Sequence, residues 1–210
     1  MKKHIANAIY SSLAATTLFI GPAQAGCADR MTLGTVPALS PQMDAKMVSH
    51  SVVFDVRIPA SEFNARLAAA PLARLLPGTP KIAAVVDTRN LTQIPFGTPG
   101  GPRVVCLGDG STAVEEAISN LPGKHFQYKV WNYTTEAAKP IEYGIGKFEL
   151  QPVEANLTRV TWTYSFKLRE DKFPGSFGGP GRWLFDATFM KRDYADMMAV
   201  SANAMSSYFR

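Results

Sequence analysis

Two hydrophobic periods divide this chain. Between His50 and about Lys167 most segments alternate apolar and polar residues, apart from a helical stretch near 59–76, and from about Arg182 to the C-terminus apolar residues recur near every fourth position. The stretch "HSVVFDVRIP" (His50–Pro59) sets Val52, Phe54, Val56 and Ile58 against Val53, Asp55 and Arg57, the pattern of a strand with one buried face. Pro59-Ala60-Ser61-Glu62 then opens a short helix through Ala70, with Phe63 and Leu67 one turn apart. A second helical piece follows over 71–76 and stops at Pro77-Gly78.

The middle of the chain reads as a run of strands. Ile82 to Gln93 holds two strand pieces, and Arg103 to Leu107 is a strand. Gly108-Asp109-Gly110 is a tight turn, and Thr112 to Asn120 runs back from it. After Leu121-Pro122-Gly123, His125 to Tyr133 carries Phe126, Tyr128 and Val130 on one face. Glu142 to Gln151 and Thr158 to Lys167 complete the series. Short turns between strands imply an antiparallel meander. From Arg182 to Tyr208 there is no interior glycine or proline after the loop "EDKFPGSFGGPG", and one long amphipathic helix is expected. The fold class is α+β: a curved antiparallel sheet whose apolar face needs a cover, and only the terminal helix is long enough to supply it.

The first 25 residues change the picture of where the chain works. A charged start, a short apolar stretch from Ile5 to Ile20, the break at Gly21-Pro22 and the A-x-A site Ala23-Gln24-Ala25 read as a signal peptide cut after Ala25. The expected location is secreted or periplasmic. Residues 26–49 have no sustained period and read as an extended arm, leaving 50–210 as one domain. No later segment is long and apolar enough to span a bilayer, so no integral membrane segment is expected in the mature chain.

Without Lys2 and Lys3 the chain carries 20 basic and 17 acidic residues, a scattered net charge of +3 that gives no reason to expect nucleic-acid binding. Cys27 and Cys106 are the two cysteines, a candidate disulfide in an exported protein. A free Cys27, or a lipidated one after Ala25-Gly26, are the alternatives; Gln24 occupies a place where a lipidation signal is usually apolar. Two cysteines and three scattered histidines make no zinc or haem constellation, and no cofactor is expected.

The stretch "FGTPGGPRVVCLGDGSTAVEE" (96–116) is glycine-rich, but the glycines are followed by a strand. A phosphate cradle would need a helix N-terminus there. The order of elements, with "GGPRVVCLGDGSTAVEEAISNLPGKHFQYKVWN" and "GKFELQPVEANLTRVTWTYSF", resembles the polyketide cyclase/dehydrase and lipid-transport branch of the START-like (SRPBCC) superfamily. The shared pattern is Gly101 and Arg103, the Gly108–Gly110 hairpin, Glu115 or Glu116, then Pro122, Phe126, Tyr128 and Val130. Leu150, Pro152, Thr158, Arg159, Val160 and Trp162 follow. The resemblance implies a helix-grip fold of about seven strands, with two short helices after the first strand and a cavity between sheet and helix.

Strand alternation then nominates the lining of that cavity. Val160, Trp162, Tyr164 and Phe166 share a face; Arg103, Val105 and Leu107 share another, and so do Val114, Glu116 and Ile118. Arg103 and Glu116 are expected to face inward and pair, as polar hooks for a ligand or as a structural ion pair. Phe126, Tyr128, Phe148, Trp162, Tyr164, Phe189, Met190, Tyr194 and Met197 are expected around an apolar ligand or as core filling.

No catalytic residue stands out. His50 and His125 fall near strand ends, and Ser111 and Ser165 have no histidine partner in sight. Three functions remain: a carrier of a small hydrophobic molecule or lipid, a cyclase acting on an aromatic or polyketide-like compound by orienting it, and a periplasmic accessory protein docking on a partner enzyme.

Overall fold

In the computed structural model, described for residues 46–210, the alternating segments form a single sheet. The strands are β1 (Val48–Val56), β2 (Val85–Asn90), β3 (Arg103–Leu107), β4 (Thr112–Leu121), β5 (His125–Trp131), β6 (Ile141–Glu154) and β7 (Leu157–Leu168). All neighbours are antiparallel, in the order β1-β7-β6-β5-β4-β3-β2. The first strand therefore lies beside the last, and the others follow as a meander. Ile82 to Gln93 supplies one strand rather than two pieces, and β1 begins at Val48, two residues before His50. The expected signal peptide and most of the expected arm lie outside the described residues.

Two short helices, α1 (Ala60–Ala69) and α2 (Leu72–Leu75), cross from β1 to β2. Pro59 and Pro71 precede their first residues, where a missing N–H costs nothing. Phe63 of α1 is fully buried and wedges between Phe148 of β6 and Phe209 near the C-terminus, with ring centroids 5.6 Å apart in both cases. Buried Asn64 donates to Asn120 Oδ1 at 2.7 Å and to the His125 carbonyl at 2.9 Å, which ties α1 to the β4–β5 turn.

The C-terminal third is helical, as the four-residue period predicts, but it is not one regular α-helix. It runs as α3 (Gly178–Phe185), a nine-residue π-helical stretch Asp186–Tyr194, and α4 (Ala195–Tyr208). Thr188 Oγ1 donates to the Leu184 carbonyl at 2.7 Å, so a side chain competes for a backbone acceptor where the winding widens. The chain end is held: the Arg57 amide donates to the Phe209 carbonyl at 2.9 Å. Sheet and helix together make the helix-grip fold, with the principal core between them. Among the described residues no helix is long and apolar enough to cross a membrane.

Two glycines of β6 set the depth of the space between sheet and helix. A Cβ at Gly146 would overlap the ring of Tyr128, and one at Gly144 would lie 2.6 Å from Tyr164. Both tyrosines lie flat over the sheet because these positions lack side chains. Gly146→Ala is expected to displace Tyr128 and cost about 1–3 kcal/mol, the usual penalty of overpacking a filled interior. Thermal unfolding checks this, and an unchanged Tm would contradict the close approach.

Candidate functional site

The inward faces of β2 to β7, the buried side of α4 and residues of α1 and α2 line a partly open cavity of about 150 Å3. Its floor is aromatic. Phe126, Tyr128, Phe148 and Trp162 form a continuous row, with centroids 6.0, 6.0 and 5.4 Å apart, and the last pair lies nearly parallel at 13°. Trp162 Nε1–H donates to the Tyr128 hydroxyl at 3.2 Å, so both buried polar groups are satisfied within the row. Tyr164 and Tyr194 close one side, 5.0 Å apart, and Met197 and Met205 reach in from α4.

One ion pair faces this apolar space. Arg103 Nε donates to Glu115 Oε2 at 2.8 Å, and the two side chains are only 6% and 8% exposed. The guanidinium carbon sits 3.4 Å from the centroid of Phe96, so the cation is capped by a ring on one side and neutralised by a carboxylate on the other. Phe96 and Arg103 also border a separate open groove along Ala68–Pro71, Thr88 and Asn90. The stacked pair is thus the partition between the inner cavity and the surface.

Arg103 faces inward as expected, but its partner is Glu115 and not Glu116. The β3–β4 register places Arg103 opposite Glu115 and Val105 opposite Ala113. The length of the Gly108–Ser111 turn fixes that parity, and a one-residue difference flips every side chain of the returning strand. Glu116 lies on the outer face, where it meets Lys129 Nζ at 3.0 Å and accepts from the Gly100 amide at 3.0 Å.

Phe126, Tyr128, Phe148, Trp162, Tyr164, Tyr194 and Met197 all line the cavity. Phe189 and Met190 do not. Met190 is fully buried in the core, and Phe189 packs on Phe166, Phe185 and Tyr194. Lining residues that were not among the nominated ones include Phe96, Tyr133, Leu67 of α1, Leu72 of α2 and Leu76 just after it, as well as Ala113 and Glu115 of β4 and Met205 of α4. Phe96 precedes a glycine in an aperiodic loop, and Tyr133, which alternation through an expected strand His125–Tyr133 would put on the other face, lies past the end of β5 at Trp131.

The hydroxyls around the cavity are proton donors. Burial raises Tyr128, Tyr133, Tyr164 and Tyr194 above the ordinary phenol range; among the further contributions, the Glu115 charge raises Tyr128, Tyr133 and Tyr194. Tyr133 and Tyr164 hydroxyls lie 3.2 Å apart. Such groups hydrogen-bond a ligand oxygen while staying neutral, and they are poor bases. His125 is engaged elsewhere, with Nε2 2.8 Å from Ser119 Oγ. No cluster of three potential metal ligands occurs among the described residues. Cys106 sits on β3 facing away from the cavity, and its candidate partner Cys27 lies outside the described residues.

Two outcomes follow from this electrostatic arrangement. Removing one member of the buried pair, Arg103→Ala or Glu115→Ala, is expected to cost about 3–5 kcal/mol in denaturant unfolding, because an unpaired buried charge is left. Exchanging both for apolar residues of similar volume is expected to restore most of the loss. The raised tyrosines add a pH signature. Folded pKa values above the unfolded value of about 10 mean the folded state holds more protons in alkali, so their stabilising effect is whole below pH 10 and is lost as pH rises further. Tyrosinate absorbance of these four residues should appear together with unfolding; ionisation in the folded protein near pH 10 would contradict their burial.

Solved structures share this architecture at low identity. Ara h 8.0201 matches with a TM-score of 0.53 at 12% identity, over 78% of this chain and 97% of that one. Ginseng major latex-like protein 151 from Panax ginseng matches at 0.51 and 14%, over 79% and 99%. The di-domain ARO/CYC StfQ from the steffimycin biosynthetic pathway matches at 0.52 and 15%, over 78% of this chain and 51% of its own length. At these identities the likeness is one of fold. No curated protein matches the chain in sequence. The family described as polyketide cyclase / dehydrase and lipid transport matches residues 47–204. With that match spanning most of its length, the chain belongs to the polyketide cyclase/dehydrase and lipid transport family.

Proposed function

We propose that this protein is an exported carrier or binder of a small, flat, mostly apolar molecule bearing one polar group. One observation carries the reading: an aromatic-floored cavity whose only charged groups among the described lining residues are the paired Arg103 and Glu115. Stacking surfaces such as Phe148 and Trp162 favour rings, and the tyrosine hydroxyls with Arg103 offer donors to one ligand oxygen. Methionines at 197 and 205 give the wall some adaptability.

The volume narrows the ligand. Pockets for drug-sized molecules run about 300–1,000 Å3, whereas a cavity near 150 Å3 suits something closer to a single ring unless side chains move. A full polyketide chain would need more room, which ranks a cyclase activity behind simple binding. Phe96 is the side chain whose rotation would join the cavity to the outer groove, and it is the access point in this reading.

A second reading is favoured by a separate observation. Phe173, Phe177 and Trp183, around the start of α3, are 61%, 67% and 69% exposed. Three large apolar side chains left in water on one short segment, 173–183, suit docking on a partner protein. The same segment does not line the cavity.

Native mass spectrometry of the protein isolated from its own cells separates the two. A co-purified small-molecule adduct, lost on Phe96→Ala through faster escape, is expected for the carrier. An empty protein that instead captures a partner, with capture abolished by replacing Phe173, Phe177 and Trp183 with serine, would overturn the carrier reading in favour of docking.

A further inference from the structure

The connection between β2 and β3, residues 91–101, is a surface loop that buries a single large side chain. Thr92 to Pro95 and Thr98 to Gly100 are exposed, whereas Phe96 is 8% exposed and Gly97 is buried beside it. Phe96 stands edge-on to Phe126 at 5.9 Å and lines both the cavity and the outer groove. The loop therefore carries the plug, and whatever fastens the loop keeps the plug in place.

Strand β4 fastens it from both faces of the sheet. On the outer face Glu116 Oε1 accepts from the Gly100 amide at 3.0 Å. On the inner face Asn120 Nδ2 donates to the Gly97 carbonyl at 2.8 Å. A bulge between Ala117 and Ser119 gives Asn120 that orientation, because the register shift sets it opposite the inward-facing Phe126. Gly97 also sits against α1, where a Cβ would stand 2.7 Å from the Ala68 Cβ.

Behind Asn120 lies an unsatisfied group. Asn64, 1% exposed, donates through Nδ2 to Asn120 Oδ1 and to the His125 carbonyl. Its Oδ1 is buried and has no partner among the described residues. Turning the amides over gives no relief, because the His125 and Gly97 carbonyls at the two ends of this chain of bonds each need an N–H. A buried acceptor without a donor is costly. The Asn120 amide can serve it. Once the Gly97 carbonyl leaves for water, the two side chains can close into a pair in which each Nδ2 donates to the other's Oδ1.

We infer that the 91–101 loop is a latched gate to the cavity, with Asn120 as a two-position latch that holds Gly97 when the gate is shut and Asn64 when it is open. The bond gained by Asn64 offsets the bond given up at Gly97, so opening needs no ligand. Asn64 and Asn120 do not line the cavity; they are positioning residues for Phe96. The inference rests on the carrier reading for its purpose, but its first test needs no ligand.

The Gly100 amide is bonded outside the loop, so its hydrogen exchange, followed by NMR on the full chain, reports each lifting of the gate. Asn120→Asp keeps the oxygen that accepts from Asn64 and loses the amide that holds Gly97. Exchange at Gly100 is expected to quicken about fivefold, the effect of one hydrogen bond, while amides of β6 and β7 keep their protection. Asn64→Ala removes the open-state partner of Asn120, and exchange at Gly100 is expected to slow. A pair with only a structural role would loosen the loop in both variants. Faster exchange in Asn64→Ala, or unchanged exchange in Asn120→Asp, would therefore overturn the inference. Should Asn64→Ala also lose protection in β6 and β7, it has unfolded and Asn120→Asp alone decides. Phenol separates the gate from its cargo: in Asn120→Asp its association and dissociation should both quicken with Kd little changed, and an altered Kd at unchanged rates would count against a gate. A wild type that binds no phenol would overturn the carrier reading, and the exchange rates would then decide the latch by themselves.

Discussion

The register of the β3–β4 hairpin is the constraint on which both faces of the sheet depend. Its turn places Arg103 opposite Glu115 and Val104 opposite Val114. Because side chains alternate, that single choice sends one ion pair into the cavity and one apolar row to the outside. A one-residue slip of the returning strand would set Val114 or Glu116 opposite Arg103 and turn Glu115 to the outer face. Where Val114 came opposite, the buried guanidinium would lose its directly facing carboxylate, which is costly.

The cavity exists because packing is withheld at chosen points. Gly144 and Gly146 of β6 leave room for Tyr164 and Tyr128 to lie against the sheet, and the space between them and α4 stays partly unfilled. Interiors are otherwise close-packed, and an unfilled volume costs stability. The cost is tolerated here beside a ladder of rings and a set of neutral hydroxyl donors, an arrangement with a use for a bound molecule. The buried Arg103–Glu115 pair has the same character, since a pair of this kind contributes little net stability compared with apolar residues of the same shape.

Much of this was legible in the sequence. Strands with one clean alternation, such as Thr158 to Lys167, showed their inner face directly as Val160, Trp162, Tyr164 and Phe166. The resemblance supplied the element order and the grip of sheet on helix. Three things were hidden. The inward partner of Arg103 depended on turn parity, and adjacent Glu115 and Glu116 are indistinguishable by composition. Phe189 and Met190 are packed inward as the helical period predicts, but periodicity separates inside from outside and not cavity wall from filled core. Phe96 lies in a loop with no period at all. The outer row of Val104, Val114, Trp131 and Tyr143 was equally invisible, because it assembles residue by residue from four strands through registers that no single segment encodes.

The central claim is that the space between sheet and α4 accepts a small aromatic molecule. Ala113 is 5% exposed and lines that space from β4, so Ala113→Phe fills it while leaving the strand register and the outer face untouched. Titration of the wild type and of this variant with phenol, a one-ring probe followed by isothermal titration calorimetry, tests the claim most directly. The account predicts saturable one-to-one binding to the wild type and its loss in Ala113→Phe, with circular dichroism unchanged. No saturable binding to the wild type, or equal binding by both proteins, would contradict it.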